Sequence, residues 1–370
     1  MAYGQVNADV IGTSVSGSNL GAGNASIMKN RIINGSMTID QRNAGASVTA
    51  SVTTAFTYTL DRWSYYAQQA SKFTIQQNAG SVTPPVGFTN YLGVTSTSAY
   101  SAGATDIFLL NQQIEGYNIA DLGWGTANAK TVTLSFWVYS SLTGTFGGAL
   151  LNSSQNRSYP FTYTINAANT WEQKSVTIVG PTSGTWVTNN GIGISIEIGL
   201  GVGTTYSGTA GVWANTNYYS ATGATSVVGT SGATFYITGV QLEVGSSATG
   251  FEYVNYQTSL ANCQRYFQKT NPDNLKASGG WAGSAESSNY APVLYNLPVP
   301  MRTAPSVTRG GTYDNFYVAG LSGTATAAIN GSNYFYSSTA IWAEVGTFSP
   351  SVSTGFFVVY NGQLSISAEL

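Results

Sequence analysis

The stretch GIGISIEIGLGV, residues 191–202, constrains the fold more than any other part of this chain. Its larger apolar residues occupy every second position, and such strict alternation is typical of a β-strand that packs one face against a core. These residues are Ile192, Ile194, Ile196, Ile198, Leu200 and Val202. The positions between them are glycine apart from Ser195 and Glu197. Because this second face is nearly flat, we expect another layer of the protein to approach it closely.

Two further stretches alternate in the same way, TVTLSFWVYS at 131–140 and FYITGVQLEVG at 235–245. Turns rich in Gly, Ser, Asn and Pro separate such runs, and helical periodicity is absent between them. The composition agrees, since the 370 residues include 43 glycines and 24 tyrosines but only 13 basic and 15 acidic residues. The sequence therefore predicts an all-β chain whose main domain is an antiparallel jelly-roll sandwich over residues 31–254.

The segment before the sandwich, residues 1–30, has no periodicity and little to bury. We expect an N-terminal arm that docks onto a larger assembly, with a free tail as the alternative. The segment after the sandwich, residues 271–370, predicts a second, smaller β-sandwich domain. Two Asn-Gly steps in it, at 330–331 and 361–362, predict β-hairpins.

Between these domains, apolar residues spaced four, three and four predict a linking helix at 255–270. The stripe consists of Tyr256, Leu260, Cys263 and Phe267. Asn255 is the expected N-cap, and the TNP sequence at 270–272 is the expected end of the helix. A short helix is marginal in water, so this stripe must pack on something. We expect it to join three copies of the chain as a trimer interface, with packing on its own sandwich as the alternative.

The chain contains no histidine and one cysteine, Cys263. Histidine-dependent acyl transfer, histidine-ligated zinc and an internal disulfide are therefore excluded. Glycoside hydrolysis by two carboxylates is the enzyme class for which parts remain, but the 15 acidic residues form no tight motif. We expect a protein that is not an enzyme, with no catalytic residues, no metal site and no cofactor. A turn cap or ion pair at Asp61, and a loop cap or structural calcium at Glu243, are the simpler uses of these carboxylates.

Charge and hydropathy exclude other classes of partner. The formal net charge is −2 and the basic residues are scattered, so we expect no nucleic-acid binding. No run approaches about 18 consecutive apolar residues, so we expect no membrane insertion. The N-terminus MAYGQVNADVIG has neither the basic start nor the apolar run of a signal peptide, which predicts synthesis in the cytosol.

Aromatic side chains offer the most informative chemistry. Sugars present flat C–H faces that stack on Trp and Tyr, while Asn, Gln and Thr supply hydrogen bonds. The long irregular segment 203–233 and one face of the strand at 131–140 together predict a glycan contact. Its candidate residues are Trp137, Tyr139, Tyr206, Trp213, Tyr218 and Tyr219. Packing of these rings beneath the loop or against a neighbouring subunit is the alternative.

Six segments resemble those of phage and prophage tail-fibre proteins. They are NRIINGSMTIDQRNAG (30–45), YTLDRW (58–63), LSFWVYSS (134–141), ITGVQLEVG (237–245), ANCQRYFQK (261–269) and LPVPMRTAPSVT (297–308). The resemblance implies a first β domain similar to carbohydrate-binding modules, trimerisation and contact with the host surface. It supplies no catalytic motif, and similar modules occur in head fibres and decoration proteins.

Residues and resemblance together predict a homotrimeric tail fibre or adhesin, made in the host cytoplasm and assembled into the virion. It would attach to other virion proteins through residues 1–30 and bind host surface polysaccharide. A capsid head fibre or decoration protein with a structural role is the alternative, and a glycan depolymerase is a third possibility.

Overall fold

The computed structural model describes residues 28–270, 281–283, 290–320, 323–346 and 357–370. The predicted N-terminal arm lies outside the described residues except for its last three positions. The chain divides into two compact units, with the boundary between Val254 and Asn255.

The first unit contains two six-stranded antiparallel sheets. The strands of the first sheet are β1 (Val48–Thr49), β4 (Phe73–Gln77), β5 (Leu92–Ser96), β14 (Thr234–Val244), β7 (Val132–Ser140) and β10 (Glu172–Ile178), in that spatial order. Those of the second sheet are β2 (Thr57–Leu60), β3 (Trp63–Ala67), β6 (Ile107–Glu115), β11 (Ile192–Val202), β8 (Gly144–Leu151) and β9 (Ser158–Ile165). Among the described residues of this unit, short 3₁₀ helices lie at Ala79–Ser81, Gly116–Asn118, Ala120–Leu122 and Thr204–Tyr206. The predicted jelly-roll sandwich is confirmed.

The core lies between the two sheets and is built by the alternating strands. Phe136 of β7, Ile196 of β11 and Leu242 of β14 are all fully buried in it. Their neighbours along each strand point to the opposite side of the sheet, as the period of two requires. These assignments confirm the three strands predicted from the sequence.

The outer face of the second sheet around Gly199 of β11 is covered by residues 204–226, which we call the strap. The strap contains two short parallel strands, β12 (Ser207–Gly208) and β13 (Ser220–Ala221). A Cβ atom placed on Gly147 would lie 2.5 Å from Ser220 Oγ, and one on Gly199 would lie 2.9 Å from the same atom. Glycine at both positions is what lets the strap lie directly on the sheet, as expected from the flat face.

Two of the segments that carry the tail-fibre resemblance pack on each other. The Trp63 indole donates to the Asn34 carbonyl oxygen (3.1 Å), and the Asn34 amide donates to the Asp61 carbonyl oxygen (3.0 Å). The buried Asp61 carboxylate accepts hydrogen bonds from the backbone N–H and the side chain of Gln41, both at 2.6 Å. Asp61 is therefore a turn cap that fixes the segment 30–45 against the second sheet.

The second unit contains one helix, α1 (Tyr256–Gln264), among its described residues. Its strands form a single antiparallel sheet in the order β15-β21-β18-β19-β20-β17-β16. They are β15 (Phe267–Lys269), β16 (Trp281–Gly283), β17 (Tyr290–Asn296), β18 (Ser306–Gly320), β19 (Gly323–Tyr336), β20 (Ala340–Gly346) and β21 (Phe357–Ser367). The all-β class is confirmed, and a smaller β unit follows the first. Its described strands join one sheet, rather than the two facing sheets of the predicted second sandwich. No helix in the described ranges is long and apolar enough to span a membrane.

The linking helix is shorter than the predicted range of 255–270. Asn255 is its N-cap as predicted, with the side chain accepting a hydrogen bond from Thr258 N at 2.9 Å. The helix ends at Gln264 rather than at the TNP sequence, and Phe267 belongs to β15. The reason is competition from the C-terminal strand, since β15 pairs with β21 and Ala368 N donates to the Tyr266 carbonyl oxygen (2.8 Å). Of the predicted trimer stripe, only Tyr256, Leu260 and Cys263 are helical.

The two Asn-Gly steps do not form hairpins. Residues 330–331 lie inside β19 and residues 361–362 lie inside β21. The register of β19 with β20 shifts between Ile329 and Tyr334, and that of β18 with β21 shifts between Gly310 and Asn315. Both steps therefore coincide with bulges in long strands, where an extra bend rather than a chain reversal is needed.

Candidate functional site

Four aromatic rings form a row on the outer face of the first sheet. Tyr139 and Tyr236 are cross-strand partners in β7 and β14, and their rings stack at 5.3 Å with an interplanar angle of 6°. Tyr91 stacks on the other side of Tyr236 at 5.1 Å. Trp171, just before β10, lies 5.5 Å from both Tyr91 and Tyr139. Strand register therefore brings together rings that are far apart in the sequence.

Two of the four rings are buried and the other two are partly accessible. Tyr91 and Tyr236 are buried, and burial raises the pKa of both phenols, so they stay neutral at ordinary pH. Tyr139 and Trp171 are half-buried. The Trp171 indole N–H donates to the Thr83 carbonyl oxygen at 2.9 Å, which fixes the orientation of its ring. Rings held in this way lose little conformational freedom when a ligand stacks on them.

Trp137 lies on the same face and begins a second group of rings. Gly239 has a φ of +61° at a bulge in β14, and a Cβ atom there would lie 2.6 Å from Phe88 and 3.1 Å from Trp137. Phe88 in turn contacts Phe251 at 5.0 Å and Tyr253 at 5.8 Å. We call the half-buried and exposed rings of both groups the aromatic face; it comprises Trp137, Tyr139, Trp171, Phe88, Phe251 and Tyr253.

A polar cleft of about 380 Å³ borders the aromatic face. Its lining residues are Gln173, Lys174, Ser175, Ala248, Thr249 and Gly250. Gln173 is the cross-strand partner of Trp137, so the cleft and the rings share one edge. The buried Glu243 supports the cleft from below by accepting hydrogen bonds from Thr249 N (2.8 Å) and Thr249 Oγ1 (2.6 Å). Glu243 is thus a loop cap, one of the roles expected for it.

Lys174 lies at this cleft, but its side chain is on the Phe136 side of β10 and is paired there with the Glu172 carboxylate. Partial desolvation of Glu172 opposes its ionisation, but hydrogen bonds from Lys174, Ala167 and Asn166 outweigh that effect and lower its pKa to about 2. The ion pair therefore persists at ordinary pH. A cleft with amide, hydroxyl and paired charges is suited to hydroxyl groups rather than to a free anion.

The six residues predicted to bind glycan do not form one site. Trp137 and Tyr139 lie on the outer face of the first sheet, whereas Tyr206 and Tyr219 pack on the outer face of the second sheet. Trp213 packs against the core instead. The idea that they share a face is therefore wrong. Tyr219 belongs to the strap and is buried against the second sheet, 5.6 Å from the half-buried Tyr206, and Tyr218 packs over Gly208. Burial removes Tyr219 as a surface contact.

The remaining candidate, Trp213, belongs to a separate group. It packs edge-on against Trp124 at 5.6 Å and Trp186 at 5.5 Å, and is tilted against Tyr159 at 5.1 Å. No local sequence pattern points to Trp171, Tyr91 and Tyr236, because each lies on a different strand or loop. Alternation places Tyr236 on one face of β14, but its pairing with Tyr139 depends on a register that no local pattern specifies.

The carboxyl group of Glu197 lies on the outer face of the second sheet, beneath the strap. Glu197 is fully buried, and its Oε1 accepts hydrogen bonds from Ser195 Oγ (2.7 Å) and Asn111 Nδ2 (2.8 Å), while Oε2 has no partner. Burial is the main cause that raises the pKa of Glu197 to about 7. In the part of the chain that the structure describes, no group of three or more Cys, Asp or Glu side chains could hold a metal ion.

No protein-family model and no curated protein sequence matches this chain. Solved structures do show similarity in fold. A CBM4 structure is 16% identical over 57% of this chain and 98% of that chain, with a TM-score of 0.27. A family 11 carbohydrate-binding module from Clostridium thermocellum is 11% identical over 55% of this chain and 98% of that chain, with a TM-score of 0.27.

A third similar structure is the enzymatically active domain of tailspike protein 4 from bacteriophage CBA120. It is 11% identical over 58% of this chain, with a TM-score of 0.29. The chain spans only 21% of the length of that tailspike structure. At these identities and TM-scores the similarity concerns the fold alone.

Proposed function

We propose that this chain is a phage virion protein, a homotrimeric tail fibre or adhesin that binds host cell-surface glycan through its aromatic face. The observation that carries the proposal is the set of accessible rings, Trp137, Tyr139 and Trp171, beside a polar cleft on an outer sheet face. Flat rings next to amide and hydroxyl groups are what a sugar needs, because its C–H faces stack while its hydroxyls form hydrogen bonds. The tail-fibre resemblance of the sequence supports the virion setting and synthesis in the host cytoplasm.

A single site of this kind binds weakly. Each stacked ring contributes about 0.5–1.5 kcal/mol beyond the area that it buries. Three linked copies on one virion component raise the overall affinity without any new contact, since the second and third binding events become intramolecular. The mechanism is therefore multivalent adhesion. We propose no catalytic step.

We expect loss of ring stacking to weaken binding to a neutral host polysaccharide. Trp171→Ala and Tyr139→Ala should each weaken single-site binding by about three- to tenfold, which corresponds to the energy of one ring. The matched control is Tyr117→Ala, which removes an exposed ring from a 3₁₀ helix of the same unit. Calorimetric titration with purified host polysaccharide measures the effect, and the recovered polysaccharide should carry no new reducing ends.

Equal binding by all three variants and the wild type would remove the aromatic face from the proposal. New reducing ends would instead support the depolymerase alternative. Labelling of virions with an antibody against this chain separates a tail fibre from a head fibre or decoration protein.

The trimer contact is proposed at the accessible residues of α1. Tyr256 is 60% exposed and Leu260 is half-buried, whereas Cys263 and Phe267 are buried within the chain itself and cannot also line a subunit interface. The double substitution Tyr256→Glu and Leu260→Glu should convert a trimer into monomers, because the new carboxylates would be buried without partners. The control is Gln257→Glu at an exposed position of the same helix. Light scattering on the full chain decides the matter, and a monomeric wild type would contradict the proposal.

A further inference from the structure

An isolated β-bridge places four side chains next to each other at the edge of the second sheet, beside its edge strand β9. Ser158 and Ala214 exchange backbone hydrogen bonds of 3.0 and 2.8 Å in antiparallel orientation. Residues on either side of a bridged pair point to the same face, opposite to the bridged residues. The bridge therefore sets Arg157 beside Asn215 and Tyr159 beside Trp213, on a common side.

The Trp213 ring is held rigidly while remaining accessible. Its indole N–H donates to the Val179 carbonyl oxygen at 2.8 Å, and the Trp124, Trp186 and Tyr159 rings pack around it. Trp213 is nevertheless half-buried rather than buried, and the neighbouring Val212 is exposed. The packing fixes the ring in one orientation, so a ligand that stacks on it meets a preformed surface.

Arg157 lies over this ring and lacks a counterion. Its guanidinium carbon is 5.9 Å from the centroid of Trp213, and its Nη1 donates to Asn215 Oδ1. The buried Asn152 fixes the backbone of Arg157 by accepting a hydrogen bond from its N–H at 3.1 Å. Ion pairs elsewhere in the first unit join Arg31, Lys130 and Lys174 to carboxylates. No carboxylate of the described residues pairs with Arg157, and its Nη2 has no hydrogen-bond partner among them.

We propose that Arg157, Trp213 and Asn215 form a second binding site, which takes the carboxylate or phosphate group of an acidic sugar. A guanidinium presents its N–H groups as a planar fork that matches such anions in two parallel hydrogen bonds. Nη2 is available for one of them, while Asn215 holds the fork in place and the Trp213 ring receives the sugar face. The chemistry differs from that of the aromatic face, where the cation that lines the cleft is already paired.

The test compares acidic sugars with neutral counterparts of the same skeleton, using the full chain. One pair is tetragalacturonate and its methyl ester, and the other is mannose 6-phosphate and mannose. We expect the wild type to bind at least one acid about tenfold more tightly than its neutral counterpart, as one charge-assisted hydrogen bond implies. The pair that shows the preference identifies the anion. Calorimetry or tryptophan fluorescence provides the affinities.

Arg157→Gln should abolish the preference, and Arg157→Lys should retain part of it, because lysine keeps the charge without the fork. The control is Lys72→Gln, which removes another cation that lies over an aromatic ring, 5.0 Å from the centroid of Tyr100. Equal affinities within both pairs for the wild type would overturn the second site, as would a preference that survives in Arg157→Gln. Trp171→Ala should leave the preference unchanged, so this site and the aromatic face can fail independently.

Discussion

The free energy of unfolding of the sandwich is expected to fall by about 3 kcal/mol as the pH rises from 4 to 8, because of the buried carboxyl group of Glu197. The pKa of Glu197 in the folded chain is about 7, against 4.5 for the ordinary carboxyl. Between these two values the folded chain holds a proton that the unfolded chain releases, so raising the pH favours unfolding. The loss begins near pH 4.5 and is complete above pH 7.

The phenol of Tyr219 interacts electrostatically with Glu197 and does not ionise in this window. Burial is the main cause that raises the pKa of Tyr219 to about 12. The lowered pKa of Glu172 acts in the opposite direction, since its stabilising effect is lost only as the pH falls below 4.5 toward 2. Between pH 4.5 and 7 the titration of Glu172 therefore does not mask that of Glu197.

Urea unfolding followed by tryptophan fluorescence at several pH values measures this effect. Glu197→Gln should give a nearly flat profile, since an uncharged amide oxygen can still accept the hydrogen bonds from Ser195 and Asn111. Glu252→Gln is the control, because that half-buried carboxylate accepts a hydrogen bond from Asn30 N on the other side of the sandwich. A flat profile for the wild type, or an unchanged slope in Glu197→Gln, would show that the carboxyl is not held protonated.

Replacing Gly147, one of the two glycines on which the strap lies, with leucine is expected to destabilise the sandwich by about 1–3 kcal/mol. In Gly147→Leu even the first side-chain atom would lie 2.5 Å from Ser220 Oγ and 3.0 Å from the backbone N of Ala221. The strap must therefore move away from the sheet, which would expose the Tyr219 ring of the strap and Glu197 of the sheet. The strands of the second sheet should stay paired, because the new side chain points away from the core, toward the strap.

Thermal unfolding and amide hydrogen exchange together measure the result. We expect faster exchange over residues 219–225 and a lower melting temperature, with little change in exchange over β6 and β11. Gly250→Ala is the control, since a Cβ atom there meets nothing within 4 Å. If amide exchange in the strap is unchanged in Gly147→Leu, the strap does not pack directly on Gly147.

The fold was predictable wherever one strand carries its own pattern. Strict alternation identified β7 and β11, and the glycines of β11 predicted a close second layer. The two hairpins predicted at the Asn-Gly steps do not form, because the same dipeptide occurs in hairpin turns and in bulges. The length of the strand decides between the two. Helix α1 stopped early because the pairing of β15 with β21 is a contact across about 100 residues, which no local signal specifies.

The candidate site was predictable only in part for the same reason. Trp137 and Tyr139 could be assigned to one face of a strand from alternation alone. Their separation from segment 203–233 depends on which sheet each element joins, and the sequence does not state this. Arg157 and Trp213 are 56 positions apart and meet through a single bridge between Ser158 and Ala214.

Hydrogen exchange of the full chain with and without saturating host surface polysaccharide tests the central claim most directly. If glycan binds the aromatic face, protection should appear in β7, β10 and residues 245–250, which carry or border the rings and the cleft. Protection confined to residues 255–264, or no protection at saturation, would contradict glycan binding at the aromatic face.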